Sequence, residues 1–171
     1  MIRLPAIDLH THVESGIAAS DLSDLRSLLF VATRSMDEAE VALERSDALA
    51  VWGVGCHPGL VRNHKKFDAD RFARQVGRTA YVSEVGLDGS SRVPMVDQER
   101  TLGSILEIAQ SHSRIVSLHS NQAAEQVLNL LSAYPIKGAV LHWWLGDAAQ
   151  TERALELGCY FSINFASARR R

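Results

Sequence analysis

Seven short apolar runs punctuate the chain, at about Ala6–Leu9, Leu28–Ala32, Ala50–Val54, Ala80–Val85, Ile115–Leu118, Gly138–Leu141 and Tyr160–Ile163. Most are β-branched or aromatic and bounded by polar or glycine-rich sequence, which predicts strands. Between most of them the apolar residues recur at helical spacing. Ser35 followed by Glu38 is a capping-box pattern for a helix over Met36–Ser46, and Asp68 can cap one that runs to Val76. Val96–His112 carries Leu102, Ile105, Leu106 and Ala109 on one stripe, and Ala123–Ser132 carries Val127, Leu128 and Leu131. Asp147 precedes a helix that ends before Gly158. Strand and helix alternate without a linker, so a single α/β domain over 1–171 with a parallel sheet is expected. The runs are continuously apolar rather than alternating, as in strands covered by helices on both faces.

The polar residues that close these runs carry the chemistry. His10 and His12 end the first run, and a period of two puts Asp8, His10 and His12 on one face of a strand. Glu84 closes Ala-Tyr-Val-Ser-Glu, His119 closes Ile-Val-Ser-Leu-His and His142 closes Gly-Ala-Val-Leu-His. A lone histidine at a strand end is ordinarily a hydrogen-bonded structural residue. Here, however, five of the 7 histidines (10, 12, 57, 119 and 142) sit in strand-end motifs. His64 and His112 lie in polar context and read as solvated. Positions 57, 84, 119 and 142 follow one another at about one βα unit each. Functional residues at the ends of successive parallel strands describe a (β/α) barrel, whereas an open doubly wound sheet gathers them at one crevice.

The chain of 171 residues is 46% hydrophobic and 22% charged, enough for one buried core. A net charge of -2 excludes global attraction to nucleic acid or to an anionic membrane, so a polyanionic substrate must be held locally. With no run long enough to span a bilayer and no secretory-type start, a cytoplasmic location is expected. Cys56 and Cys159 lie far apart without a CxxC pair and read as small core residues. Trp143 and Trp144 could stack on a base, and Arg62, Lys65 and Lys66, near His57, could contact phosphates. Packing and a solvated charged loop are the alternative readings of the two groups.

Asp8-Leu-His-Thr-His12, Gly55-Cys-His-Pro58, Ser83-Glu-Val-Gly-Leu-Asp88, Ser117-Leu-His-Ser120 with Ala123, and Val140-Leu-His-Trp143 with Gly146 resemble, in order and spacing, the motifs of the TatD family of metal-dependent deoxyribonucleases. The resemblance covers nearly the whole chain. It implies that His10 and His12 hold one divalent ion, His119 and His142 a second, and that Glu84 bridges them. Zinc, manganese or iron suits imidazole with carboxylate, and magnesium is compatible where carboxylate and water dominate. It further implies that Asp8 fixes the tautomer of a ligand histidine through its ring N–H and that Asp88 orients a water or loop. His57 is then a contact to substrate phosphate or to a loop rather than a ligand. The activity implied is two-metal hydrolysis of DNA phosphodiesters, at single-stranded ends.

The chain also departs from the family pattern. The family's eighth strand carries Glu-Thr-Asp, whose aspartate completes the first metal site, and nothing after Tyr160–Ile163 corresponds to it. The expectation is therefore a TIM-type barrel that lacks its eighth strand and helix, C-terminally truncated relative to the family and impaired in activity. A protein partner or a second copy would complete it, with Arg169–Arg171 at or near the contact. The Glu-Val-Gly-Leu-Asp-Gly-Ser stretch, His-Ser at 119–120 and Leu-Gly-Cys-Tyr-Phe-Ser are similar to the TatD-like subunit of the bacterial Qat anti-phage operon. That narrower resemblance implies antiviral defence, with a non-catalytic, partner-completed subunit as one alternative. A small-molecule amidohydrolase or phosphoesterase is the other, and it would be favoured by a lysine near the metals; no strand end carries one.

Overall fold

All seven apolar runs form strands in the computed structural model, which describes residues 5–162. Strands β1 (Ala6–Thr11), β2 (Ser27–Val31) and β3 (Ala50–Trp52) form one sheet in that order. Strands β4 (Tyr81–Gly86), β5 (Ile115–His119), β6 (Ala139–Leu141) and β7 (Tyr160–Phe161) form a second, and every pairing is parallel. A bridge between Val54 and Val82 joins the two. Because β3 is short, the end of β2 also reaches β4: Thr33 N–H donates to Ser83 O at 3.0 Å and Glu84 N–H donates to Thr33 O at 2.8 Å. Spatial order thus follows chain order, as in a (β/α) barrel and not in a doubly wound sheet. Among the described residues β1 and β7 share no ladder, so the barrel is open there. Ile163 and the Asn164–Arg171 tail lie outside the described residues.

The helices are α1 (Ala19–Asp24), α2 (Met36–Ala42), α3 (Val61–Lys65), α4 (Ala69–Val76), α5 (Met95–Gln110), α6 (Ala124–Ala133) and α7 (Ala148–Glu156). The caps expected from sequence are made. Ser35 accepts from Glu38 N–H, Asp68 from Arg71 N–H, and Asp147 forms a full capping box with Gln150. Helix α2 ends at Ala42 rather than Ser46, because Arg45 leaves the helical path to bond Asp47 at 2.7 Å and the Ser15 carbonyl at 2.9 Å.

The main core lies between the second sheet and α4–α6, where Phe72, Leu102, Ile105, Leu106, Leu118 and Leu128 are buried. Each such side chain contributes roughly 1.5–3 kcal/mol. Strand β4 is buried at every position. Burial on both faces does not extend to β1, where Ile7 is 61% and Leu9 41% exposed. Among the described residues this strand has a ladder neighbour on one side only.

Candidate metal centre

Parallel strands bring their C-terminal ends to one mouth, and Glu84 stands at its centre with only 4% of its surface exposed. Its Oε1 lies 2.8 Å from His119 Nδ1, and its Oε2 lies 3.3 Å from both His12 Nε2 and His57 Nε2. His10 Nε2 is 3.2 Å from His12 Nε2. His10, His12 and Glu84 each offer one ligand atom, and these atoms lie within 4.8 Å of one another. His142 joins through the ring of His10, on which it stacks with centroids 3.5 Å apart.

A hydrogen bond from a group that can only donate fixes one of these rings. Gly59 N–H donates to His57 Nδ1 at 2.9 Å, so the proton of that neutral imidazole is on Nε2, facing Glu84. His57 therefore meets the carboxylate as a donor. His10 Nδ1 lies 3.0 Å from Ser117 Oγ. Asp8 Oδ1 accepts from the backbone N–H of His10 at 3.0 Å. A carboxylate two residues upstream reaches the nearest amide before it reaches an imidazole. Asp88 accepts from Ser90 N–H, Ser90 Oγ and Asn121 Nδ2, which ties together the loops after β4 and β5. It also places Oδ2 3.3 Å from His119 Nε2, without hydrogen-bond alignment, and this buried nitrogen has no other partner among the described residues.

The electrostatics follow from one buried carboxylate among several imidazoles. Burial disfavours charge on Glu84, but His119, His12 and His57 outweigh it and hold the carboxyl well below its usual range. Hydrogen bonding to Glu84 raises His12. Burial lowers His119, yet Glu84 and Asp88 prevail and raise it. Burial, then the neighbouring His142, pushes His10 down to about 3, and burial likewise lowers His57 and His142. Asp88 stays below its ordinary value because the Ser90 and Asn121 donors outweigh its desolvation.

Beside the carboxylate opens a cleft of about 410 Å³, lined by His12, Glu84, His119, Asn121, Trp143 and Leu145 among others. Trp143 is 50% exposed at its rim, with a left-handed φ of 48° and its N–H bonded to Ser162 Oγ. Trp144 does not share this surface: it packs on the core and bonds Thr151. Arg62 and Lys66 line a separate recess with Ser35, Asp37, Asn63 and Arg71, and Lys65 is exposed on α3. His64 and His112 are not simply solvated. His64 is half-buried between Thr101 Oγ1 and Pro58 O, and His112 bonds Ile108 O. Cys56 and Cys159 are buried, and burial pushes their thiols up to about 12 and about 11.

Sequence reasoning passed over Tyr81, Ser83 and Ser117, which are buried beneath His10. Their signal was a hydroxyl in the middle of an apolar run.

Comparison with known proteins gives a consistent picture. A family model described as TatD related DNase matches residues 7–171. Among solved structures, YjjV, a TatD homolog from Escherichia coli K12, is similar with a TM-score of 0.74 at 20% identity, over 91% of this chain and 66% of that one. A hydrolase TatD family protein from Entamoeba histolytica is similar with a TM-score of 0.72 at 14% identity, over 95% of this chain and 66% of that one. At these identities the likeness establishes the fold, and the chain spans about 66% of the length of both. No curated protein sequence matches significantly. The comparisons reach the TatD family and do not reach the narrower anti-phage subunit.

Proposed function

The chain belongs to the TatD family, a family of metal-dependent hydrolases, and from that premise we propose that it hydrolyses DNA phosphodiester bonds at a centre of two divalent cations. The observation that carries the proposal is the convergence of His10, His12 and Glu84, with ligand atoms within 4.8 Å of one another. Imidazole with carboxylate is a donor set for zinc, manganese or iron. The unpartnered buried His119 Nε2 is a second sign that a group belongs there. His10 and His12 would hold one ion and His119 and His142 the other, with Glu84 shared. When bound, such ions neutralise the phosphate, generate a nucleophile from water and stabilise the leaving oxygen.

The chain's own groups are disposed for the rest. Glu84 is ionised at neutral pH and His10 is neutral, the states in which both can act as ligands. His57 Nε2–H, steadied by Gly59, is a neutral donor suited to a phosphate oxygen. Asp88 fixes the loop that carries Asn121 into the cleft. Trp143 offers an exposed aromatic face to a base beside the reacting bond. Cleavage of end-labelled single- and double-stranded DNA with magnesium, manganese or zinc tests the reading. Metal-dependent cleavage lost in Glu84→Ala is expected, and cleavage indifferent to Glu84 would refute it.

A protein neighbour along β1 is a second reading, supported by exposed Ile7 and Leu9 beside a cleft of about 590 Å³ between β1 and β7. A second copy or another subunit would cover this edge. Sedimentation across a dilution series should show concentration-dependent association that Ile7→Lys weakens; a monomer at all concentrations would remove the self-association.

A further inference from the structure

Beneath the mouth of the barrel, where branched apolar side chains ordinarily fill the interior, this chain places Tyr81, Ser83 and Ser117, all buried. Buried hydroxyls are costly unless bonded, so their connections carry information. Tyr81 donates its hydroxyl to the carbonyl of Leu9 at 2.9 Å. A carbonyl only accepts, so that bond uses the phenolic proton and leaves the phenolic oxygen as an acceptor. That oxygen lies 3.5 Å from His10 Nδ1, and with its proton committed to the carbonyl it can meet the ring only as an acceptor. The atom nearest that ring nitrogen is Ser117 Oγ at 3.0 Å, a hydroxyl that can accept from it. Ser83 Oγ and Tyr81 Oη lie farther from the same nitrogen, at 3.4 and 3.5 Å.

We propose that Ser117, beside a Tyr81 phenol whose proton is committed to the Leu9 carbonyl, is a positioning residue that holds His10 as its Nδ1–H tautomer and so keeps the Nε2 lone pair free toward His12 and Glu84. The direction comes from Tyr81, which donates to a carbonyl that cannot donate back and so faces His10 Nδ1 as an acceptor. This tautomer control reaches His10 from β4 and β5, beside whatever Asp8 contributes from the histidine's own strand. His142 lacks an equivalent. Ser162 Oγ, 3.1 Å from His142 Nδ1, accepts from Trp143 N–H, which leaves its own proton free to point at the imidazole.

The inference rests on the metal-centre reading for its purpose, but its test does not require DNA cleavage. Ring-nitrogen NMR of metal-free, ¹⁵N-histidine-labelled protein should show His10 protonated on Nδ1 with an unprotonated Nε2. Zinc affinity, measured by competition with a chromophoric chelator, should fall about 10–100-fold in Ser117→Ala and recover in Ser117→Thr. Tyr81→Phe, which keeps the ring and removes the phenolic acceptor, should populate both His10 tautomers and weaken zinc about tenfold. An Nε2–H tautomer in the wild-type protein would overturn the proposal, and that reading needs no variant to fold. So would a Ser117→Ala protein that matches wild type in both tautomer and zinc affinity. If wild type binds no zinc, the metal centre fails while the ring tautomer still decides the role of Ser117.

Discussion

The imidazoles of His10 and His142, from the ends of β1 and β6, stack with centroids 3.5 Å apart and planes 11° apart, spanning the part of the barrel where, among the described residues, β1 and β7 share no ladder. Two half-buried rings in face contact disfavour charge on either. Burial with His142 beside it takes His10 down to about 3, and burial lowers His142. The sign of the stability effect follows. Below the ordinary histidine value of about 6.5 the unfolded chain takes up protons that these folded rings refuse. The metal-free protein should therefore lose stability as pH falls from about 6.5, by at most about 1.4 kcal/mol per pH unit for each ring. His12 and His119, raised by Glu84, act oppositely: their contribution is full below about 6.5 and is lost as pH rises through their folded values. A comparison with His10→Gln isolates the stack. Thermal melts in chelator at pH 7.5 and 5 should show a smaller acid loss in the variant, and equal losses would contradict the assignment.

Trp143 is half exposed at the rim of the cleft that contains Glu84, so removing its ring should cost the core little and substrate much. Trp143→Ala should weaken binding of a single-stranded oligonucleotide about 5- to 150-fold, the equivalent of about 1–3 kcal/mol for one stacked base. Trp143→Phe should retain most of it. An oligonucleotide that is abasic at the contacted position should bind both proteins alike, and fluorescence anisotropy reads all four combinations. A loss as large with the abasic strand would assign Trp143 to the fold of its loop.

His57 presents N–H, not a lone pair, to the site. His57→Ala should accordingly leave metal content unchanged and slow DNA turnover by about tenfold or more, within the range for a positioned donor or acid–base group. Loss of bound metal from that variant would make His57 a ligand.

The contrast between His57 and the other histidines shows what was legible in the sequence. All seven strands could be read because each is a short β-branched or aromatic run between polar punctuation, and parallel order then gathers their ends. That placed His10, His12, Glu84, His119 and His142 at one mouth. The helices with side-chain caps, Ser35, Asp68 and Asp147, were equally readable. Helices α1 and α3 were not: they are only one to two turns long and begin at Ala18 and Leu60, neither of which caps through its side chain. Ring orientation was hidden as well, because it depends on partners distant in sequence or on single backbone amides. Gly59 N–H sets His57, and Ser117 faces His10 from 107 residues away. The both-faces-covered reading failed at β1, whereas the expectation of a barrel without an eighth strand agrees with the open β1 edge among the described residues.

The central claim is that Glu84, with the imidazoles of His10 and His12, holds a divalent cation, and metal content tests it most directly. Protein purified without chelator, and the same protein stripped and reloaded with zinc or manganese, should retain bound metal through gel filtration. Glu84→Ala and His12→Ala should lose most of it, while Asp68→Ala, which removes only the cap of α4, should not. Stoichiometric metal in wild type that disappears with Glu84 is the predicted result. Wild type without metal, or an unchanged metal content in Glu84→Ala and His12→Ala alike, would contradict the account.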